Sequence, residues 1–516
     1  MRAPRMRSFA PRLSVLLLVC LAPANGWALH TTIGGRAVDL DGSAEIREVI
    51  ESNANTGHDR TQQTLRLRAA AELTSWLRFD STTVGTNGGP TFQASKSGTF
   101  NLHDTFQDVS PAIEFEEAFF EAHLDRFEIR GGKQKFAWGK LDRTQPNDLL
   151  NPERYVDPLL QEENDRKIGI PSIEATYSLP AAAWLPDDAR FTAVWVPFYV
   201  PYRFPNPGER WFPPAATPPT AFSVPAGLFT FPNGSPSPPF TVPVGLSTEN
   251  TPTPAFTFAN TEWAARWSGS IQGSDVALYY FHGFDVSPAF SLHALAFGEP
   301  DDNPRNPLGV KNLSAATVLA PVFRNIDSWG ADWAYTWDAF TFRAEGAYVS
   351  GRPFSRDLRF LVTDPRSIAD QIRDGLGALR AGAGRVPIDL GTSFVVHDAA
   401  EWGVGADYSV NGYFLLLQVN QTDVLHNDVD LLIKDVDTRL LANLRKAWLN
   451  DDLQAQLIGV YAIESDYTVL MPRLTYRFTD SIDARVGYLF IAGRAQSIGG
   501  QYKKNDEAFV RLRYSF

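Results

Sequence analysis

The sequence predicts an all-β fold: a transmembrane antiparallel up-and-down β-barrel of about 16 strands, with 18 as the alternative. Three observations carry this. Many segments of about ten residues alternate apolar and polar side chains, with turn residues between them. Short connections alternate with long ones, the asymmetry expected of short periplasmic turns and long extracellular loops. The last residues, "VRLRYSF", place Val510, Leu512, Tyr514 and Phe516 on one face of an extended strand.

Residues 1–28 read as a secretory leader, followed by a single barrel domain over 29–516. Arg2, Arg5, Arg7 and Arg12 form a basic start, and Ser14–Ala22 an apolar core too short to cross a bilayer as a helix. Gly26-Trp27-Ala28 places small residues where a signal peptidase reads, so cleavage is expected after Ala28. The only cysteine, Cys20, lies in the leader, which leaves the mature chain without disulfide or thiolate chemistry. Removing the leader takes away four arginines and no acid, so 47 basic residues become 43 against 59 acidic, a balance of −16. That excludes nucleic acid as an expected partner.

The strands follow in order. In "LRLRAAAELTSWLRF", Leu65, Leu67, Ala69, Ala71, Leu73, Leu77 and Phe79 share a face, opposite Arg66, Arg68, Glu72 and Arg78. "AFTFRAEGAY" puts Arg343 and Glu345 on its polar side. "MPRLTYRF" sets Leu470, Leu474, Tyr476 and Phe478 against Arg473 and Arg477, and "IDARVGYLFIA" sets Val486, Tyr488 and Phe490 against Asp483 and Arg485. Tight turns are expected at Asp125-Arg126, Trp337-Asp338, Asn411-Gly412, Asn450–Asp452 and Thr479-Asp480; Asn-Gly between two such runs is a strong hairpin signal. Long connections fall at about 80–112, 139–167, 200–258, 286–326, 352–397, 424–436 and 493–505. The 200–258 stretch is too rich in Pro for a sheet interior. Ile368, Ile372, Leu376 and Leu379 recur at helical spacing and predict a short loop helix over 365–380. The start, "TIGGRAVDLDGSAEIREVI", holds one strand or two and leaves the strand count open. A soluble sandwich or propeller would also alternate, but its outward face would be the charged one. Here the consistent face is apolar and aromatic, as hydrocarbon requires.

The final strand must pair with the first to close the sheet. Its ending, with Tyr514 and Phe516, resembles the C-terminal signal read by the barrel-assembly machinery. A second resemblance rests on "RGGKQKFAWGKLD…NDLLNPERY" and "RFTAVWVPFYVPYRFPNPG", through Gly132, Gln134, Trp138, Gly139, Asp148, Asn151, Pro152, Trp195, Pro197 and Phe198. These positions resemble an uncharacterised family of large Gram-negative outer-membrane β-barrel proteins. The resemblance implies location and fold but no settled substrate; some members are regarded as accessories to export or uptake of apolar compounds. From the residues alone, Trp138 reads as part of an interfacial aromatic girdle beside a strand-bending Gly139, and Asn151-Pro152 as a fixed turn.

No catalytic site, metal centre or cofactor is expected. The His residues show no metal-binding spacing, "GLGALRAGAG" lacks the Lys-Ser/Thr of a phosphate loop, and His123 and His282 have no assignable serine. The acidic loop with Asp423, Asp428, Asp430, Asp435 and Asp437 reads as solvated. The informative feature is charge on the inward faces. Arg473, Arg477, Arg485, Arg511 and Arg513 oppose only Asp483, and closure brings Arg66, Arg68 and Arg78 near them. Glu117, Glu121 and Glu128 with Arg130 form a more acidic wall. Such walls set ion preference in a pore, although cross-strand pairing would neutralise the same charges. The loop 139–167 is expected to fold into the lumen, with Leu149, Leu150, Leu159 and Leu160 as anchors. The expected function is therefore an outer-membrane porin-like channel for diffusion or uptake of small solutes, anionic ones among them; the alternative is a non-catalytic accessory or conduit of an envelope export or uptake system for apolar compounds. Expected partners are outer-membrane lipid, lipopolysaccharide, the assembly machinery and a small-molecule solute, and a homo-oligomer is compatible with the pattern.

Overall fold

The structure is a computed structural model. It describes residues 29–516 apart from 52–59, 89–92, 96–105, 109–111, 156–157, 183–185, 206–208, 214–220, 225, 228–233, 237, 249–252, 287–288, 304–305, 307, 357–364, 390–391 and 496. The leader 1–28, with Cys20 and its four arginines, lies outside the described residues.

Eighteen antiparallel strands close into a barrel. They are β1 (Arg36–Glu51), β2 (Arg60–Glu72), β3 (Leu77–Gly88), β4 (Ala112–Leu124), β5 (Phe127–Gln134), β6 (Ile170–Ser178), β7 (Asp187–Val196), β8 (Glu262–Ile271) and β9 (Ser274–Phe284). The second half holds β10 (Asn325–Trp337), β11 (Phe340–Ser355), β12 (Phe394–Val410), β13 (Tyr413–Val424), β14 (Val436–Trp448), β15 (Leu453–Ala462), β16 (Tyr467–Arg477), β17 (Ile482–Gly493) and β18 (Glu507–Ser515). Each pairs with its sequence neighbours, and β18 closes on β1 from Ser43↔Ser515 to Glu51↔Glu507. At the seam Phe516 and Gly42 exchange backbone hydrogen bonds of 2.9 and 3.0 Å. Gly42 is required there: a Cβ would lie 2.9 Å from the Phe516 ring and 2.4 Å from the Arg66 carbonyl oxygen.

The count is 18 rather than 16. The start supplies one barrel strand, β1, with Leu29–Ile33 folded back on it as a hairpin. Connection length undercounts the strands because two connections on the long-loop rim, 52–59 and 463–466, are short. A second difference concerns 65–79, which reads as one alternating run. It is broken by a turn at 73–76 into β2 and β3, where Leu73 and Thr74 donate to the Leu77 carbonyl oxygen.

The outward face is apolar. Leu65, Phe120, Leu278, Leu417, Leu444, Leu474 and Val510 are exposed on it, and aromatic residues gather toward both ends. Trp337, Phe340 and Tyr408 pack together near the short-turn rim; Trp195 stacks on Trp263 at 5.8 Å near the other. A continuous apolar outer surface with ladders closed on all sides is the form in which a sheet crosses hydrocarbon.

Three long loops build a second sheet, separate from the barrel ladder, from Ala221–Val224, Phe240–Thr248, Ala289–Pro300, Val310–Val322 and Arg385–Ile388. The Pro-rich stretch therefore does contribute an interior strand, contrary to the sequence reading. Pro243 is tolerated because the parallel ladder to Val310–Val322 begins only after it, at Val244. The expected loop helix spans Pro365–Arg380 and buries Leu376 and Leu379 against Val310 and Val386.

Candidate functional site

The lumen is crossed by the segment 135–169 between β5 and β6. Its two ends are tied together by Asn151, which is 2 % exposed. The Asn151 Oδ1 accepts the Phe136 N–H at 2.6 Å, and its amide donates to the carbonyl oxygens of Gln134 (3.2 Å) and Ile168 (2.8 Å). Gln134, also buried, donates to Ser172 on β6. Asp148 pairs with Lys167, whose ammonium also donates to the Phe136 carbonyl oxygen at 2.8 Å. Burial pushes the Asp148 carboxyl up to about 7, against the pull of Lys167.

From this knot the segment reaches across to β11 and β13. The Glu345 carboxylate of β11 accepts three backbone N–H groups: Asn147 at 2.7 Å, Lys140 at 2.9 Å and Leu141 at 3.3 Å. Gly139 permits this approach. It sits at φ +103°, and a Cβ there would lie 2.7 Å from a Glu345 oxygen. Gln418 on β13 bonds both the N–H and the carbonyl oxygen of Asp142, and Asn420 donates to the Thr144 carbonyl oxygen. The segment then returns past β16 and β17, where Glu162 meets Arg473 at 2.8 Å and Arg485 at 3.1 Å. Asp165 meets Arg66 of β2 at 2.7 Å. Under it, the buried Glu114 of β4 pairs with Arg154 and with Arg203 of the 197–261 connection. Ion pairs or charge-assisted hydrogen bonds thus hold it to opposite sides of the barrel.

Apolar wedges fill the gaps. Trp138, Leu149 and Leu150 pack with the inward side chains Val194, Ala264, Ala277, Ile326 and Ala347 of β7–β11. Leu160 packs with Leu416, Leu441, Ile458, Met471 and Leu489 of β13–β17. Trp138 is 5 % exposed and lies inside the barrel, so it is not a girdle residue as its sequence context suggested. Trp195, from the second motif, is the one on the outer face. Asn151 sits at a bend before Pro152, and its three side-chain bonds go to the backbone at the two ends of the segment rather than across a local turn.

The expected lumen charges divide accordingly. Arg66, Arg473 and Arg485 grip the crossing segment, while Arg343 bridges Asp142 and Asp407. Glu345 does not line open water: it is covered, and 4 % exposed. Arg68 and Arg78 share Asp80, Arg130 meets Glu121, Glu128 and Glu174, and Arg511 meets Asp483 and Glu45. Glu117 accepts the Lys135 N–H at 3.0 Å. Arg477 and Arg513 form no ion pair among the described residues. Sequence alternation missed Glu114 and Glu116, because an irregularity opposite Thr82 and Thr83 shifts β4 by one residue. Both Glu114 and Glu116 as well as Glu117 then face inward, and Glu116 pairs with Arg66 and Lys135.

On the long-loop side of the crossing segment lies a cavity of about 630 Å³. Its floor includes Arg143, Leu149 and Leu159; its walls include Arg352, Tyr467 and Ile491; its roof includes Phe204, Trp211, Phe290 and Tyr502.

These features define a membrane-type β-barrel with a lumen narrowed by an inserted loop. No protein-family model and no curated protein matches the chain. Among solved structures it is similar to OccAB4 of Acinetobacter baumannii (8 % identity, TM-score 0.46, covering 95 % of this chain and 99 % of that one). It is also similar to OccD3 (OpdP) of Pseudomonas aeruginosa (9 %, 0.43, 100 % and 99 %). A third is OmpF of Salmonella typhi, in complex with daunomycin (10 %, 0.37, 95 % and 100 %).

Proposed function

We propose that the chain is a porin-like channel of the outer membrane that admits small solutes selectively, without a catalytic step. The observation that carries this reading is the segment 135–169, pinned across the lumen of a closed barrel whose outer face is apolar. An open barrel of this size would pass solutes freely, whereas a charged, loop-narrowed aperture selects by size and charge. The long-loop rim faces outward from the cell in this reading, and the short turns face the periplasm. Reconstitution in planar bilayers tests it: stepwise conductance is expected, with a reversal potential in a KCl gradient that shifts when Arg477 and Arg513 are changed to Glu. Absence of any conductance from correctly folded barrel would refute it.

A second reading, a conduit for apolar compounds, draws on the apolar roof of the cavity. Liposome swelling with sugars and amino acids, compared with uptake of alkanes, separates the two.

A further inference from the structure

We propose that the cavity above the crossing segment is a binding site for an amphipathic monocarboxylate, with Arg143 as the group that receives the carboxylate. This rests on the channel reading for its place in transport, but not for its chemistry.

Arg143 differs from the other cations around the cavity. Arg352 is held between Asp285 and Glu401, Lys167 by Asp148, and Arg439 by Asp437. Arg356 donates to the Thr392 carbonyl oxygen. The Arg143 guanidinium makes no hydrogen bond and no close ion pair among the described residues, with Glu162, Glu163 and Asp142 acting on it only from farther off; its backbone N–H donates to Glu163 at 3.2 Å. A guanidinium left this way, half-buried on the floor of a cavity, gains from a planar carboxylate that accepts two N–H groups side by side. Burial and the nearby Arg166 outweigh the pull of Glu162, Glu163 and Asp142 and push its pKa below the ordinary arginine value. The backbone supports the same assignment. Arg143 stands at φ +61°, uncommon for a residue with a side chain, in a segment otherwise fixed by Glu345 and Gln418.

The rest of the cavity sets the other end of the ligand. Its lining beyond Arg143 is mostly apolar and aromatic, with Trp211 against Tyr502 at a ring distance of 5.5 Å. A volume of about 630 Å³ accommodates a solute of drug-like size. An inorganic anion would leave these walls uncovered; a neutral hydrocarbon would leave Arg143 unanswered. A carboxylic acid with an aryl or alkyl body satisfies both.

The test uses the full mature chain in lipid nanodiscs at pH 7.5, with 4-phenylbutyrate and its neutral amide as probes. Binding is measured by calorimetry, with empty nanodiscs subtracted. The acid is expected to bind at least about tenfold more tightly than the amide. Arg143→Gln is expected to remove that preference while leaving amide binding unchanged, and Arg143→Lys to restore part of it. Because the guanidinium makes no hydrogen bond or close ion pair among the described residues, these variants should keep the heat-modifiable gel mobility of the folded barrel. Equal binding of acid and amide, no saturable binding of the acid, or an Arg143→Gln variant that binds the acid like the parent would each overturn the site. A chain that binds the acid but conducts nothing overturns the channel reading alone, and one that conducts but fails these comparisons overturns this site alone.

Discussion

Glu345→Gln is the sharpest perturbation of the lumen. The carboxylate holds the tip of the crossing segment through three backbone N–H groups, two on one oxygen and one on the other. Each hydrogen bond to a charged acceptor is worth ~1.5–3 kcal/mol net. Glutamine keeps one accepting oxygen and turns an NH₂ toward at least one backbone N–H, so one or two of the three bonds are lost. The expected cost to the docked tip is about 2–4 kcal/mol. Since 1.4 kcal/mol is a factor of ten, the undocked population should rise on the order of 10²-fold. The assay is single-channel recording: the variant should show larger conductance steps or new flicker between two levels. Gly139→Ala attacks the same contact from the other side, because its Cβ would press on the carboxylate at 2.7 Å. It should give the same phenotype. If both variants fold, as judged by heat-modifiable mobility, yet conduct like the parent, then the segment does not control the aperture.

Three other perturbations probe the rest of the frame. Glu114→Gln leaves Arg154 and Arg203 buried without their carboxylate, and should cost about 3–5 kcal/mol, read as a lower denaturant midpoint in lipid and faster protease nicking within 135–169; an unchanged midpoint would count against the buried triad. Gly42→Val should block the seam between β1 and β18 and lower the yield of assembled barrel in membranes, whereas Val49→Ala, away from the seam's tight spot, should assemble. Asp148 gives a pH effect. Its pKa is raised in the folded chain to about 7, so the folded state holds a proton that the unfolded state has already released, and this group's contribution falls as pH rises from about 4 to 7. Asp148→Asn should remove that part of the pH dependence of stability; an identical pH profile in the variant would refute the assignment.

Much of this frame was legible in the sequence, and the reason is period two. Hydrocarbon on one side and a filled lumen on the other force alternation on every wall strand, so residues such as Leu474 and Arg473 announce their faces without any knowledge of their neighbours. The ending at Phe516 was legible for the same reason, since β18 carries the alternation up to the seam. What alternation does not record is a local change of phase. At β4 one extra residue opposite Thr82 and Thr83 brings Glu114 and Glu116 onto the same side as Glu117, and the acidic wall becomes stronger than counting by twos allows.

The crossing segment marks the deeper limit. Its charge and its leucines suggested that it enters the lumen, but its docking partners, Glu345, Gln418, Arg473 and Glu114, come from strands far apart in the chain, and no local pattern links them. The segment also changes what the wall needs. Where it covers the inner face, Leu489 and Met471 replace charge, because those positions meet packed side chains instead of water. An inward-facing leucine in a barrel strand is therefore a mark of cover, and an inward-facing arginine is a mark of either an aperture or an anchor. In this chain four are anchors: Arg66, Arg343, Arg473 and Arg485 hold acids of the segment itself. On the proposed channel reading, selectivity then rests on the cations left without a close ion pair among the described residues: Arg477 and Arg513 of the wall and Arg143 of the segment.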